Sequence, residues 1–343
     1  MDFLVICLFL SVIAFRTQTH KDYLSLGSFT ALKGLMAMVV VFHHLAQIVP
    51  EGGYCFRLFI DLGPYAVAVF FLLSGFGLSA QRRAKGEAYF KGYFKKLLLK
   101  IVLPYLVMNV VYYFFRGIVL GEELTPASVL SDASRGVTLV THSWFIIAIL
   151  LFYAAFYLCF RMLKEKRWLA NLLLYLLIFA YIYACKKLEF GYWWYESALA
   201  FGLGVTWGCY QEKLQKPIQK GYPAMLYAGA LLLWILAWQI WPVSPEVNVL
   251  IALLRTALFA VLAVLIGRKA GYDSRPLAFL GERSLEIYMV QGLVMLFLRS
   301  DCCYIQSDFW YAAASIAGSI VLGCLLHLLF AVMQKKLGFA NQK

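Results

Sequence analysis

Charge is what this sequence has least of. Only 14% of its 343 residues are Asp, Glu, Lys or Arg, whereas 63% are hydrophobic. Soluble domains carry nearer a quarter charged residues, so a soluble globular domain is excluded. Acidic residues are scarcer still, 18 against 31 basic ones. The resulting charge of +13 does not mark a nucleic-acid binder, because the basic residues lie in short segments between apolar runs rather than in one patch. Metal-ligand spacing is missing among the eight cysteines: Cys302 and Cys303 are adjacent and the others scatter, mostly inside apolar runs, as small packing residues do. No metal is expected. Repeats and low-complexity tracts are lacking, and the longest connecting segment, about 116–142, is too short to fold as a soluble domain.

What the chain does have is long apolar runs. Several exceed eighteen residues, the length that crosses ~30 Å of hydrocarbon at ~1.5 Å per residue. Inside a bilayer every backbone polar group must be satisfied within the protein, which leaves helices or closed barrels. The runs are continuous rather than alternating, so helices are expected. Spans fall near 3–15, 30–49, 62–80, 97–115, 143–162, 168–184, 192–210, 222–241, 247–266, 285–299 and 309–333. The expected fold is all-α, a polytopic membrane helix bundle of ten core transmembrane helices plus an extra N-terminal helix. Residues 1–27 form that short hydrophobic helix and a cytoplasmic linker, and 28–343 form the membrane domain. Pro217, Pro223, Pro242 and Pro245 are expected at helix ends.

Loop charges orient the bundle. Alternate segments carry twenty-two Lys and Arg residues, among them Arg82, Arg83, Lys95, Lys96, Arg161, Lys213, Arg268, Arg283 and Lys335. The intervening segments carry six: Arg57, Arg116, Arg135, Lys186, Lys187 and Arg299. By the positive-inside rule the richer side is cytoplasmic. The expected location is the cell membrane, multi-pass, with the C-terminus cytoplasmic. The first run has Asp2 before it and Arg16 after it, the reverse of a signal peptide's charge order. It is therefore read as a retained helix with its N-terminus extracytoplasmic.

Ionisable residues inside such runs are costly and face a partner or a cavity. Lys33 stands at the inner end of the second run, and His43 and His44 follow ten and eleven residues later, about 16 Å deeper by helical rise. A neutral imidazole can accept a proton near neutral pH, which suits a general base. Equally, a membrane histidine can simply hydrogen-bond neighbouring helices. Adjacent histidines point ~100° apart, so one of the two faces a given site. Arg255 lies at a similar depth in its own span. It either pairs structurally with Glu196 or polarises a carbonyl or binds an anionic acceptor.

Four stretches carry a resemblance to a known family. Lys33, ten intervening residues and His44 resemble the basic-residue-to-histidine element of the acyltransferase-3 family of membrane O-acyltransferases. Phe70-Phe71-Leu72-Leu73-Ser74-Gly75-Phe76, Ser143-Trp144-Phe145 and Ser284-Leu285-Glu286-Ile287-Tyr288 are similar to its other elements, in order and spacing. The resemblance covers the chain from about residue 28 and makes that stretch a membrane acyltransferase domain. It departs at Gln291, where the family often has histidine. It departs again at Lys95, Lys96 and Lys100, where the family favours arginines; lysines offer point charges rather than bidentate forks.

The resemblance implies acyl transfer, acetyl in many relatives, from cytoplasmic acyl-CoA to a hydroxyl of an extracytoplasmic or lipid-linked carbohydrate. His44 is then the general base, with His43 as the other candidate and Arg255 as a catalytic partner. Activity should fall at acid pH, where the base is protonated. Lys33, Lys95, Lys96 and Lys100, with Arg82 and Arg83 nearby, would hold the phosphates of the donor, although such residues are also the ordinary topology signal. Ser74 and Gly75 would either let the pantetheine arm pass or allow close helix packing. Trp144 would line a sugar-binding mouth or anchor at the interface, and Glu196, Tyr288 and Gln291 would contact the acceptor. Glu286 is read as a local ion partner of Arg283, Tyr288 alternatively as packing, His142 as plain loop and His327 as structural. Acyl-CoA, the glycan acceptor and membrane lipids are the expected partners. The competing reading is a transporter or membrane sensor without acyl-transfer chemistry.

Overall fold

A computed structural model describes residues 20, 22–49, 58–164, 166–238, 243–272 and 274–337. The helix expected at 3–15 lies outside the described residues. Among the described residues the regular structure is helical, without strands. Helix α1 is Leu26–Ile48 and α2 is Gly63–Lys85. The short α3, Tyr93–Leu97, runs through a π-helical turn, Leu98–Val102, into α4, Leu103–Val119. The small α5, Pro126–Ser134, precedes α6, Trp144–Met162, and α7, Arg167–Lys187. After them come α8, Leu199–Ala237, α9, Pro245–Ala270, and the eight-residue α10, Arg275–Glu282. The last two are α11, Ser284–Phe297, and α12, Asp308–Lys336. Among the described residues eight helical segments are long and apolar enough to cross a membrane, and α11 is a shorter apolar one. The chain is a multi-pass membrane protein.

Each span expected after residue 28 coincides with one of these helices or with part of one. The exception to a simple pairing is α8, which covers both spans expected at 192–210 and 222–241. Its backbone leaves helical geometry at Tyr210, and Pro217 and Pro223 lie inside it rather than at helix ends. Gly208 packs on Phe76 and Ser79 of α2, whereas the Tyr222 hydroxyl donates to the Leu265 carbonyl at 3.0 Å and Gly229 packs on Leu262 of α9. The segment thus descends along α2 and returns along α9. Pro245 stands in the first turn of α9, where its missing N–H costs nothing, and Pro242 lies outside the described residues.

Helices approach most closely where glycine removes a side chain. A Cβ on Gly75 would meet the Phe201 carbonyl of α8, and one on Gly204 the Leu72 carbonyl of α2. The Ser79 hydroxyl crosses the same seam to the Val205 carbonyl at 2.9 Å. Gly34 of α1 and Gly281 of α10 form a second seam, each pressed against the other helix's backbone at Leu277 and Thr30. These two crossings join α2 to α8 and α1 to α10.

Candidate functional site

Helix α1 begins where the Ser25 hydroxyl accepts from the Ser28 amide at 3.2 Å, an N-cap. From there a helical repeat of 3.6 residues puts Lys33, Ala37, Val40 and His44 on one face. His44 is buried at the far end of that face. Its ring stacks on His142, with centroids 3.9 Å apart and planes 12° from parallel. Gln291 of α11 is fully buried and lies near the His44 ring. The Nδ1 atom of His44 and the Oε1 atom of Gln291 have no partner among the described residues.

His142, read from sequence as plain loop, is the residue that sequence reasoning missed. Its backbone is left-handed, φ 63°, a conformation that costs a non-glycine residue of order 1 kcal/mol and persists only when its surroundings impose it. Three neighbours do so. The Tyr288 hydroxyl donates to the His142 carbonyl. Val140 beside it is fully buried. Gly292 leaves room for Thr141, whose Cβ would lie 2.8 Å from an added glycine Cβ. Burial, helped by the neighbouring His43, pushes the His142 imidazole down to about 4. The ring is therefore neutral at pH 7 and stacks on His44 without charge repulsion. The one signal in the sequence is its position directly before Ser143-Trp144 in a chain with only five histidines.

His43 turns the other way. Its Nδ1–H donates to the Phe59 carbonyl at 3.1 Å, and Gln47 donates to its Nε2 at 3.2 Å. Gly63, the first residue of α2, packs against the ring. With both nitrogens occupied, His43 ties α1 to the start of α2, and His44 is the histidine with unused capacity.

Between the levels of Lys33 and His44 lies a cavity of about 30 Å³, lined by Ala37, Val40, Val67, Phe70, Phe145, Ser284, Leu285 and Tyr288. It joins three of the four stretches that carried the family resemblance to the face of the first. Lys33, one turn below Ala37, makes no hydrogen bond or ion pair that marks it as a structural clasp among the described residues. Tyr288 both lines this cavity and holds His142, so its role is positional rather than mere packing.

Other expected site residues lie elsewhere. Gly75 serves the α2–α8 seam, and the Phe201 carbonyl fills the space a ligand would need. Ser74 lies near the Tyr153 hydroxyl. Lys95, Lys96 and Lys100 are exposed and outside the cavity lining. Arg82 donates to the Lys164 carbonyl at 2.8 Å, and Arg83 to the Gly208 carbonyl at 2.8 Å and the Gln211 side chain at 2.6 Å. These two arginines therefore tie helix ends rather than stand free for a ligand. Trp144 joins an aromatic cluster, 6.3 Å from Phe145 and 6.2 Å from Trp194.

Two ionic expectations are corrected. Glu286 pairs with His327 of α12 at 3.0 Å and not with Arg283, which pairs with Glu282 at 3.3 Å and lies over the Phe279 ring at 3.7 Å. Glu196 and Arg255 do not form the ion pair that is one of the two readings of Arg255. Both line a second cavity, of about 280 Å³. Among the described residues no group of three or more potential metal ligands occurs.

Neither a curated protein nor a solved structure matches this chain at a significant level. A family model described as an acyltransferase domain matches residues 26–328, a stretch that holds Lys33, His44, His142 and Tyr288 together with the cavity between them, and the chain belongs to the acyltransferase-3 family.

Proposed function

We propose that the protein moves an acyl group, acetyl in the simplest case, from cytoplasmic acyl-CoA to a hydroxyl of an extracytoplasmic or lipid-linked carbohydrate. The observation that carries this is the single face of α1 with Lys33 at one end, a buried His44 with an unpartnered Nδ1 at the other and a cavity between them. The positive-inside bias puts the Lys33 end on the side where acyl-CoA is found. Lys33 there attracts a donor phosphate. Eleven residues of helix, about 16 Å, then separate the phosphate from the base. The cavity is the size of about one water molecule, so donor binding displaces side chains such as Phe70 and Phe145.

At the far end His44 takes the proton of the acceptor hydroxyl as its oxygen attacks the thioester carbonyl. The tetrahedral intermediate collapses, the C–S bond breaks, and the departing thiolate recovers the proton from the imidazolium. General-base assistance of this kind is worth about 10²–10⁴-fold. The His142 stack holds the ring still, which keeps the reacting atoms in line.

The test is expression of wild type and His44→Ala in a host lacking the protein, with mass spectrometry of envelope glycans and an assay of thioester consumption. An acyl group added by wild type and not by a correctly inserted His44→Ala is expected. Equal acylation by both refutes the His44 base. Solute uptake by wild type without thioester turnover refutes the enzyme and leaves the transporter.

A further inference from the structure

The second cavity is unlike the first. It is about nine times larger, about 280 Å³, and is lined by Tyr192, Tyr195, Glu196, Asn248, Arg255 and neighbouring aliphatic residues. Glu196 is 3% exposed, yet its side chain forms no hydrogen bond or ion pair among the described residues, and its Oε1 is buried without a partner. Arg255 is half-buried; its Nε is buried and unpartnered, and its guanidinium lies 5.5 Å from the Tyr65 ring. The two opposite charges feel each other but stay beyond 4.0 Å. Leaving a buried charge unpaired costs several kcal/mol, so a fold that holds these two apart across a cavity leaves their hydrogen bonds for something that enters it.

The chemistry of the walls selects that ligand. The lining holds a carboxyl group that accepts hydrogen bonds and a guanidinium that donates them, so a ligand that meets both must do both. Glu196 and the negative field of nearby Asp61 both act against an anion at Arg255. A cation meets Arg255. A neutral polyol fits all three conditions, since adjacent hydroxyls donate to a carboxylate and accept from a guanidinium. Tyr192, 62% exposed at the rim, offers a ring face to the C–H side of a sugar.

The position fits the chemistry already assigned. The cavity opens at the end of the bundle that holds His43 and His44, with only the first turn of α2 between. Gly63 of that turn packs on His43, Tyr65 underlies Arg255, and the Ser197 hydroxyl clamps the Glu196 segment to the Pro64 carbonyl at 2.7 Å. We propose that the Glu196–Arg255 cavity is a saccharide subsite, in which a vicinal diol bridges the carboxylate and the guanidinium and holds the acceptor beside the histidines. This rests on the carbohydrate acceptor of the proposed function, but its test does not depend on catalysis.

Full-length protein in detergent is titrated with methyl glycosides of glucose, galactose and N-acetylglucosamine, with alanine as a zwitterionic control, and thermal protection is read. Protection of wild type by at least one glycoside is expected. Its midpoint concentration should rise at least about ten-fold in Glu196→Gln, in Arg255→Lys and in Tyr192→Ala, the last at an exposed rim where folding is undisturbed. His44→Ala should bind the glycoside like wild type. Protection by no glycoside, stronger protection by alanine, or unchanged midpoints in all three variants would overturn the subsite. Glycoside protection without any acyl transfer would sink the enzymatic reading and leave the subsite standing.

Discussion

Protonation of His142 should cost the folded protein stability, and the amount follows from its environment. In the unfolded chain the ring titrates near 6.5; in the folded protein burial and the neighbouring His43 lower this to about 4. The folded state therefore binds fewer protons than the unfolded one between these values. Stability is full above about pH 6.5 and falls as the pH drops towards 4. At pH 5 the unfolded ring is almost wholly protonated and the folded ring almost wholly neutral, which amounts to about 2 kcal/mol. That figure is an upper one, because the ring edge keeps some contact with solvent. The matched variant is His142→Asn. Asparagine tolerates the left-handed backbone at this position and does not titrate. Equilibrium unfolding in mixed micelles of dodecyl maltoside and sodium dodecyl sulfate, at pH 7.5 and pH 5, would compare the two proteins. Wild type should lose about 2 kcal/mol more than the variant on acidification. At pH 7.5 the variant should itself be less stable by about 1 kcal/mol, from the lost ring stack. Equal pH dependence in the two proteins would mean that His142 is not held neutral against His44, and the positioning role assigned to it would fall.

Four further outcomes are expected. Lys33→Met should raise the KM for acyl-CoA about ten-fold, equivalent to ~1.4 kcal/mol, with Lys33→Arg closer to wild type; a change confined to kcat would contradict phosphate binding. Tyr288→Phe removes the hydroxyl that holds the His142 carbonyl and should cost about 1 kcal/mol of stability while lowering kcat; full activity would show that the left-handed turn needs no such tie. His327→Ala strands the buried Glu286 carboxyl and should destabilise by about 3 kcal/mol, whereas Glu286→Leu with His327→Leu should recover most of that, which a double-mutant cycle measures. Gly34→Leu drives a side chain into the Leu277 backbone and should abolish folded protein, since overpacking costs about 1–3 kcal/mol even where side chains can yield; size-exclusion elution at the wild-type position would refute the close α1–α10 crossing.

The parts of the site legible in the sequence are those carried by one helix. The eleven-residue interval from Lys33 to His44 is three helical turns, so the chain itself states that both lie on one face, and the apolar runs state which segments span. What spacing does not carry is the partner across a seam. His142 reaches His44 from a loop 98 positions later by taking a backbone conformation that no composition rule assigns to histidine, and only the packing of Tyr288 and Gly292 imposes it. Proximity in the chain suggested Arg283 for Glu286, but residues three apart on a helix were outbid by His327 on the facing helix, because burial makes the nearest partner in space the one that matters. Gly75 sat inside a family-like stretch, and nothing in that stretch says that the Phe201 carbonyl occupies the space its missing side chain leaves. Glu196 and Arg255 are the most instructive case. Their similar depth argued for an ion pair, since two opposite charges in a low-dielectric interior attract strongly at contact. Depth constrains one coordinate out of three. The other two depend on what holds each segment, here the clamp of Ser197 on Pro64 and the Tyr65 ring beside Arg255, and the two groups stay more than 4.0 Å apart, as the proposed saccharide subsite requires.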